Sequence, residues 1–484
     1  MDIREKLAAL QRTAERLELT AGQREEQLEK VALYTEDFLK ESEIRPVYQQ
    51  DRQGEEAPFG FSEQPAGLDE ALALLHEHVD SAGFNIGASG FFAFIPSGGL
   101  YPSALADFIA AVTNRYAGVQ FAAPGVTRLE RSLVRWLAEV VGYPDGADGD
   151  LTSGGSIAAL SAIVAAREAY EIRSRDVEKF VVYVTPLTHH TFLKALGIAG
   201  LAECPVRTIP LDENYRMDVR LLEKAVIEDR ASGLTPWMVA ATAGTTDMGT
   251  IDPLEAIADL SEQHRLWMYV DAAYGGAFML CEEGRKRLRG IERSSSIIMD
   301  PHKGFFLPFG SGVVLVRDGA QLYRAFHARG TYMQDLETDP REAHSACDLS
   351  PELTRPFRGL RLWLPLKLAG IAPFRAALEE KLLLAEYFYQ RIRELDGFVT
   401  GPHPDLSIVA FRYRPENGDA DEFNRRLALA LRDDGRVFLS TTTLDGKFVL
   451  RMAVLAYNTH LDAVDRTLAI IQEKTRELLS AERQ

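Results

Sequence analysis

An α/β fold built on a mainly parallel central sheet flanked by helices is predicted for the middle of this chain, on three observations. Short apolar runs rich in β-branched residues alternate with stretches of helical period, the pattern of strands joined by crossover helices. Polar and glycine-rich turns follow those runs, at the carboxyl edge where such sheets bind ligands. Towards the end the pattern becomes a long helix, short strands and a closing helix, which reads as a separate, smaller α+β domain.

Composition bounds the function classes. With 484 residues, 46% hydrophobic and 26% charged, the chain has the make-up of a soluble globular protein of two or three domains. A formal net charge of -17 argues against nucleic-acid partners, because neutralising phosphates takes a basic surface. Cys204, Cys281 and Cys347 are far apart and odd in number, so neither a disulfide framework nor a zinc-binding pair is expected. MDIREKLAAL has no signal-peptide apolar centre, and a run of about 18 apolar residues is missing, so a cytoplasmic protein with no membrane partner is expected.

Ile3, Leu7, Leu10, Ala14 and Leu17 recur at helical spacing. Thr20 to Gln23 resembles a capping box that opens a second helix through Leu28, Val31, Tyr34 and Phe38. These stripes fit either the chain's own body or a partner subunit. Residues 45–68 read as a connecting loop, and GFNIGASGFFAFIPSGG leads into a helix near Pro102. Arg128–Val141 is a further helix, and Asp145–Asp150 reads as a polar turn. The expected organisation is an N-terminal helical segment over 1–100, a large α/β domain over 101–370 and a small α+β domain over 371–484.

In the large domain strands are predicted at Phe180–Val184, Trp237–Thr242, Leu266–Val270, Ile297–Met299 and Val313–Val316. Helices are predicted at Ile157–Glu171, Thr191–Ile198, Val219–Glu228, Leu254–Gln263 and Gln321–Phe326. Residues 329–355, which contain Tyr332, have no sustained period and read as a lid or a disordered stretch. The small domain follows as a helix at Phe374–Leu395, strands at Ser407–Tyr413, Arg436–Ser440 and Phe448–Val454, and a helix at Leu461–Leu479.

The chemistry-bearing residues lie at the strand ends. Gly155 and Ser156 open a helix, so their N–H groups and hydroxyl either cap that helix or face an anion. His189 and His190 precede another helix and point different ways, so at most one faces a site. Thr246 lies in the Gly-Thr-Thr turn after a strand, and Asp271 ends a buried strand, where a carboxylate needs a partner. Lys303 sits between two apolar runs and either snorkels from a loop or, if buried, becomes a nucleophile for an aldehyde. Together an anion-binding helix start, an aromatic ring, a strand-end carboxylate and a buried lysine are what a pyridoxal 5'-phosphate site requires.

VDAAYGGAF, TAGTTDMGTIDP, THHTFLKA and DPHKG resemble the motifs of the group II pyridoxal-phosphate-dependent amino acid decarboxylases, among them the aromatic L-amino acid decarboxylases. The resemblance runs from about Gly90 to Arg451 and implies fold type I, the aspartate aminotransferase-like architecture, and a homodimer. It implies that Lys303 forms the Schiff base with the cofactor, that His302, Gly155 and Ser156 contact its phosphate, and that Asp271 bonds the pyridine nitrogen. Ala273 and His189 then hold the two ring faces, Thr246 lies near the ring oxygen, and Tyr332 protonates the carbanion after carbon dioxide leaves. FFAFIPSGG is similar to the aromatic decarboxylase segment in which Phe94, Ile95 and Pro96 line the side-chain site. The implied substrate is an aromatic or bulky apolar L-amino acid, with Arg355 and Arg358 left as partners for an acidic one. Decarboxylation of an acidic or aliphatic amino acid and a same-fold aminotransferase or aldehyde synthase are the alternatives. Two positions depart from the family: Gly304 replaces an aromatic residue, and Asp300 replaces an asparagine and is expected to turn away from the phosphate or be otherwise paired.

Overall fold

Asp2 and Thr20 each form a capping box, with Glu5 and Gln23, and open the helices Ile3–Ala14 and Ala21–Ile44. The computed structural model describes residues 2–51, 59–95, 98–328 and 344–482. Ile3, Leu7, Leu10 and Leu17 stay exposed on the first of these turns. β1 (Tyr48–Gln49) and β2 (Gly83–Phe84) pair antiparallel, with the helix Leu68–Leu75 between them in the chain. The chain up to Ala88 forms one compact unit, and Ser89 onward forms a second.

The second unit begins with β3 (Phe91–Phe92) and then builds a seven-stranded sheet. Its strands are β4 (Asp148–Thr152), β5 (Phe180–Val184), β6 (Val206–Thr208), β7 (Thr235–Thr242), β8 (Trp267–Asp271), β9 (Ser296–Met299) and β10 (Gly312–Val316), in the order β4-β10-β9-β8-β7-β5-β6. Neighbours from β9 through β6 are parallel. β10 runs antiparallel to both β9 and β4, so β4 points the same way as the parallel strands. Both sheet faces are buried. Val181, Val239, Met268, Val270, Ile297 and Val313 belong to one apolar cluster, while Val182, Met238, Trp267, Tyr269, Ile298 and Val314 belong to another. The period-2 alternation of strand side chains thus feeds two cores at once. Each such buried Val, Ile or Met contributes about 1.5–3 kcal/mol relative to exposure.

The predicted strands and crossover helices are present, with boundaries moved by a few residues. β4 lies where the sequence reads as a polar turn. Its acidic residues have arginine partners: Arg355 donates to the Asp150 carboxylate, and Arg131 donates to Asp148. β6 is a short edge strand whose residues are all exposed, which hides it from an apolar pattern.

β11 (Phe398–Thr400), β12 (Ile408–Tyr413), β13 (Phe438–Leu444) and β14 (Lys447–Ala453) form a second sheet, in the order β11-β12-β14-β13-β3. β3 pairs parallel with β13, so Phe91 and Phe92, read in the N-terminal segment, complete this C-terminal sheet. Helices Ile371–Arg393, Ala420–Asp434 and Leu461–Glu482 contribute Phe388, Leu427 and Val464 to its core. Among the described residues no helix is long and apolar enough to cross a membrane.

The departure at Gly304 has a packing cause. A Cβ at Gly304 would lie 2.4 Å from the Ala277 Cβ, so no side chain fits between the lysine turn and the segment after β8. Gly304→Ala is therefore expected to destabilise the fold by about 1–3 kcal/mol through overpacking. An unchanged midpoint in denaturant unfolding would remove this explanation.

Candidate active site

Parallel strands carry their carboxyl ends to one edge of the sheet, and the turns after β4, β5, β7, β8 and β9 enclose a cavity of about 310 Å³ there. Gly155, Ser156, His189, Thr246, Asp271, Ala273, His302 and Lys303 all line it. Phe94 and Ile95 do not: Phe94 is 53% exposed with φ 56, and Ile95 is buried. Pro96 and Tyr332 lie outside the described residues.

Ser156 stands in the first turn of the helix Gly155–Ala169, and Gly154 before it has φ 150, a conformation that glycine adopts readily. The helix start presents free N–H groups to the cavity, the geometry for an anion. On the opposite wall Asp271 ends β8 in register with Thr242 of β7 and Ile298 of β9. Its Oδ1 accepts from the Ala273 N–H at 3.1 Å. Burial pushes the Asp271 carboxyl above the usual carboxylate range, and the nearby Lys303 ammonium opposes that shift.

Lys303 follows β9 in the one-turn helix Pro301–Gly304, and its backbone N–H donates to the Asp300 carbonyl at 2.8 Å. Its Nζ lies 3.3 Å from Asp300 Oδ2. Asp300 is paired, as the sequence anticipates, yet it faces the cavity and does not turn away. His302 donates Nδ1–H to the Ser311 carbonyl at 2.6 Å, which leaves Nε2 3.8 Å from Asp300 Oδ2. Of the histidine pair, His189 lines the cavity and His190 is exposed. The Thr191 N–H donates to His189 Nδ1, so Nδ1 is an acceptor and Nε2 carries the proton. Burial pushes the His189 ring below its ordinary value and favours this neutral form, against the pull of Asp271.

Three positioning residues escape a reading of sequence alone. Arg451 of β14, 4% exposed, donates to the Asp247 carbonyl at 2.5 Å and to the Thr246 carbonyl, which ties the turn after β7 to the second sheet. A charge inside the apolar run Phe448–Val454 was its signal. Tyr274 OH lies 2.6 Å from Ser407 Oγ and makes a second tie between the sheets. Asp252 accepts from the Met217 and Thr242 N–H groups, each at 2.8 Å, and burial pushes its carboxyl up to about 6.

The arginines left for an acidic substrate are committed elsewhere. Arg355 has a fully buried side chain that bonds Asp150 and, at 2.8 Å, Glu130. Arg358 meets both oxygens of Glu352, at 2.6 and 2.8 Å. Neither lines the cavity.

A parallel-sheet edge that unites a helix start, a strand-end carboxylate and a lysine is the site of a fold type I pyridoxal-phosphate enzyme. The pyridoxal-dependent decarboxylase conserved domain matches residues 77–414. An aromatic-L-amino-acid decarboxylase of Bacillus atrophaeus is 34% identical over 387 residues, 79% of this chain and 80% of that protein. A phenylacetaldehyde synthase of Arabidopsis thaliana is 29% identical over 457 residues, 92% of each. The crystal structure of Oryza sativa TDC with PLP and tryptamine superposes with a TM-score of 0.89 at 29% identity, covering 95% of this chain and 99% of that one. The chain belongs to the pyridoxal-dependent decarboxylase family and is a PLP-dependent amino acid decarboxylase. Its cavity fits that cofactor: the helix start suits a phosphate, Asp271 a protonated ring nitrogen, and Lys303 an aldehyde.

Replacing Arg355 by methionine leaves Glu130 and Asp150 buried without their cation. The expected loss is about 3–5 kcal/mol of stability, the scale for breaking a buried ion pair. Unfolding curves measure it, and the ranking of substrates is expected to stay unchanged in protein that still folds.

Proposed function

We propose that this decarboxylase converts an aromatic or bulky apolar L-amino acid to its amine and carbon dioxide. The observation that carries the preference is the commitment of Arg355 and Arg358 to internal carboxylates, which leaves neither for an acidic side chain. The substrate class in the name of the Bacillus atrophaeus relative agrees with it.

Bound pyridoxal phosphate supplies a sink for the electron pair released from the Cα–carboxylate bond. The chain's own groups do the rest. Lys303 would hold the cofactor through its amine. Asp271 holds a proton at the ring nitrogen, and the shift of its carboxyl is countered once a cation stands opposite it. His189, held by Thr191, would face one side of the bound ring and Ala273 the other. Gly155, Ser156 and His302 hold the phosphate end, and Thr246 hydrogen-bonds near the ring oxygen. Tyr332 delivers the proton to Cα after carbon dioxide departs.

The protein works as a cytoplasmic homodimer. Leu105, Phe108, Ile109 and Val112 are exposed on the helix Tyr101–Thr113, and covering such an apolar face favours association. The N-terminal helices, whose apolar residues are also exposed, pack on the partner subunit. Phe94, with Ile95 and Pro96 beside it, borders a substrate site completed by two subunits. The large and small domains divide near residue 370.

A carbon dioxide release screen of the holoenzyme across the amino acids, acidic and sulfinate ones included, is expected to give amine and carbon dioxide in equal amounts from aromatic substrates. Release from glutamate or cysteine sulfinate alone would overturn the preference. The phenylacetaldehyde synthase relative favours aldehyde formation as the second reading, and aldehyde as the main product would establish it. Tyr332→Phe is expected to slow amine formation at least tenfold and raise the share of aldehyde or keto product; an unchanged amine yield would exclude the tyrosine from proton delivery.

A further inference from the structure

The ring of Phe94 is carried on a backbone shape that phenylalanine rarely takes. Its φ is 56, in the left-handed region that suits glycine, and the residue is 53% exposed. The residues before it are firmly placed. β3 pairs with β13 in the register Phe91 with Phe438 and Phe92 with Leu439, the Phe91 and Phe438 rings stack at 6.0 Å, and Phe92 and Ala93 are fully buried. The pairing stops there, and the chain turns at Phe94. A bulky residue in such a conformation persists only where its surroundings hold it, and residues of this kind gather at functional sites.

The hold comes from Ser440, the next residue of β13 and itself buried. Its Oγ accepts from the Phe94 N–H at 3.3 Å, so the hydroxyl takes up a backbone donor at the point where strand pairing ends. The same Oγ accepts from Arg451 Nη1 at 2.6 Å, because the two residues stand opposite each other in the β13–β14 pair. Arg451 Nη2 donates to the Thr246 carbonyl and Nε to the Asp247 carbonyl, so each guanidinium nitrogen has an acceptor. A buried polar network whose members are satisfied is rigid. One guanidinium thus steadies both the cavity wall at Thr246 and the hydroxyl that holds Phe94.

We propose that Ser440 is a positioning residue for substrate selection: its hydroxyl, steadied by Arg451, fixes the turn at Phe94 and thereby sets where that ring meets the substrate side chain. The inference rests on the reading that Phe94 borders the substrate site. Among the described residues none that lines the cavity comes from beyond residue 370, and Ser440 acts from there through Phe94 and not through the cofactor. Removing the hydroxyl lets the turn relax towards shapes that phenylalanine prefers, which weakens substrate binding and leaves the chemical step alone.

The test uses the holoenzyme and the amino acid that the carbon dioxide screen ranks first, so it does not depend on that substrate being aromatic. Ser440→Ala is expected to raise KM about fivefold, the scale of one lost hydrogen bond, with kcat within about twofold of wild type. The visible band of the bound cofactor is expected to stay as in wild type. Ser440→Thr, which keeps the hydroxyl, is expected to restore KM. Phe94→Ala is expected to raise KM as well, and adding Ser440→Ala to it to raise KM no further, because both changes act through one ring. An unchanged KM in Ser440→Ala beside a raised KM in Phe94→Ala would overturn the proposal. So would an equal rise with and without the ring, the mark of a general loosening. An unchanged KM in Phe94→Ala removes the reading on which the proposal rests, and the proposal with it. Where Ser440→Ala does not fold, Ser440→Cys, whose sulfur is a weaker acceptor at the same place, carries the same comparison.

Discussion

Holding ionisable groups at the ends of buried strands is the constraint from which the rest of this structure follows. Asp271 ends β8 and Lys303 lies beyond β9, strands whose residues are almost wholly enclosed. A charge taken from water there is tolerable only beside an opposite charge, a donor or a ligand. The parallel arrangement answers that need, because it gathers several strand ends, and the helix starts that follow them, around one space. Among these groups Lys303 pairs with Asp300, Asp271 takes the Ala273 N–H, and His189 takes the Thr191 N–H. The polar site is thus assembled from backbone donors and mutual pairs within an apolar sheet.

Much of this was legible in the amino-acid sequence because it is local. Apolar runs marked β5, β7, β8, β9 and β10, and Thr242, Asp271 and Asp300, at or just past the ends of three of them, line the cavity. What stayed hidden depended on distant partners. Asp150 looks like part of a turn until Arg355, 205 residues away, neutralises it and makes β4 a buried strand. Phe91 and Phe92 look like loop core until β13 arrives to pair with them. The same holds for the site: Lys303 and Asp271 announce themselves by their setting, but the direction of the Asp300 side chain is fixed by the close approach of Gly155.

Close approach is the second organising feature. Gly275 would place a Cβ 2.0 Å from the Ala243 carbonyl, and Gly276 would place one 2.7 Å from Met299. These contacts press the segment after β8 against its neighbours and, with Gly304, bring the lysine turn down onto it. Small residues here set how closely the lysine turn and the segment after β8 pack together.

Arg451 holds the turn after β7 by the Thr246 and Asp247 carbonyls. Every amino acid has a carbonyl, so the anchor does not depend on which residues occupy the turn. The Asp247 carboxylate adds a tie of its own by accepting from the Thr442 hydroxyl of β13 at 2.6 Å, while Thr246 lines the cavity. Variation at Thr246 can therefore retune what the cavity recognises while its carbonyl still anchors the wall that carries it.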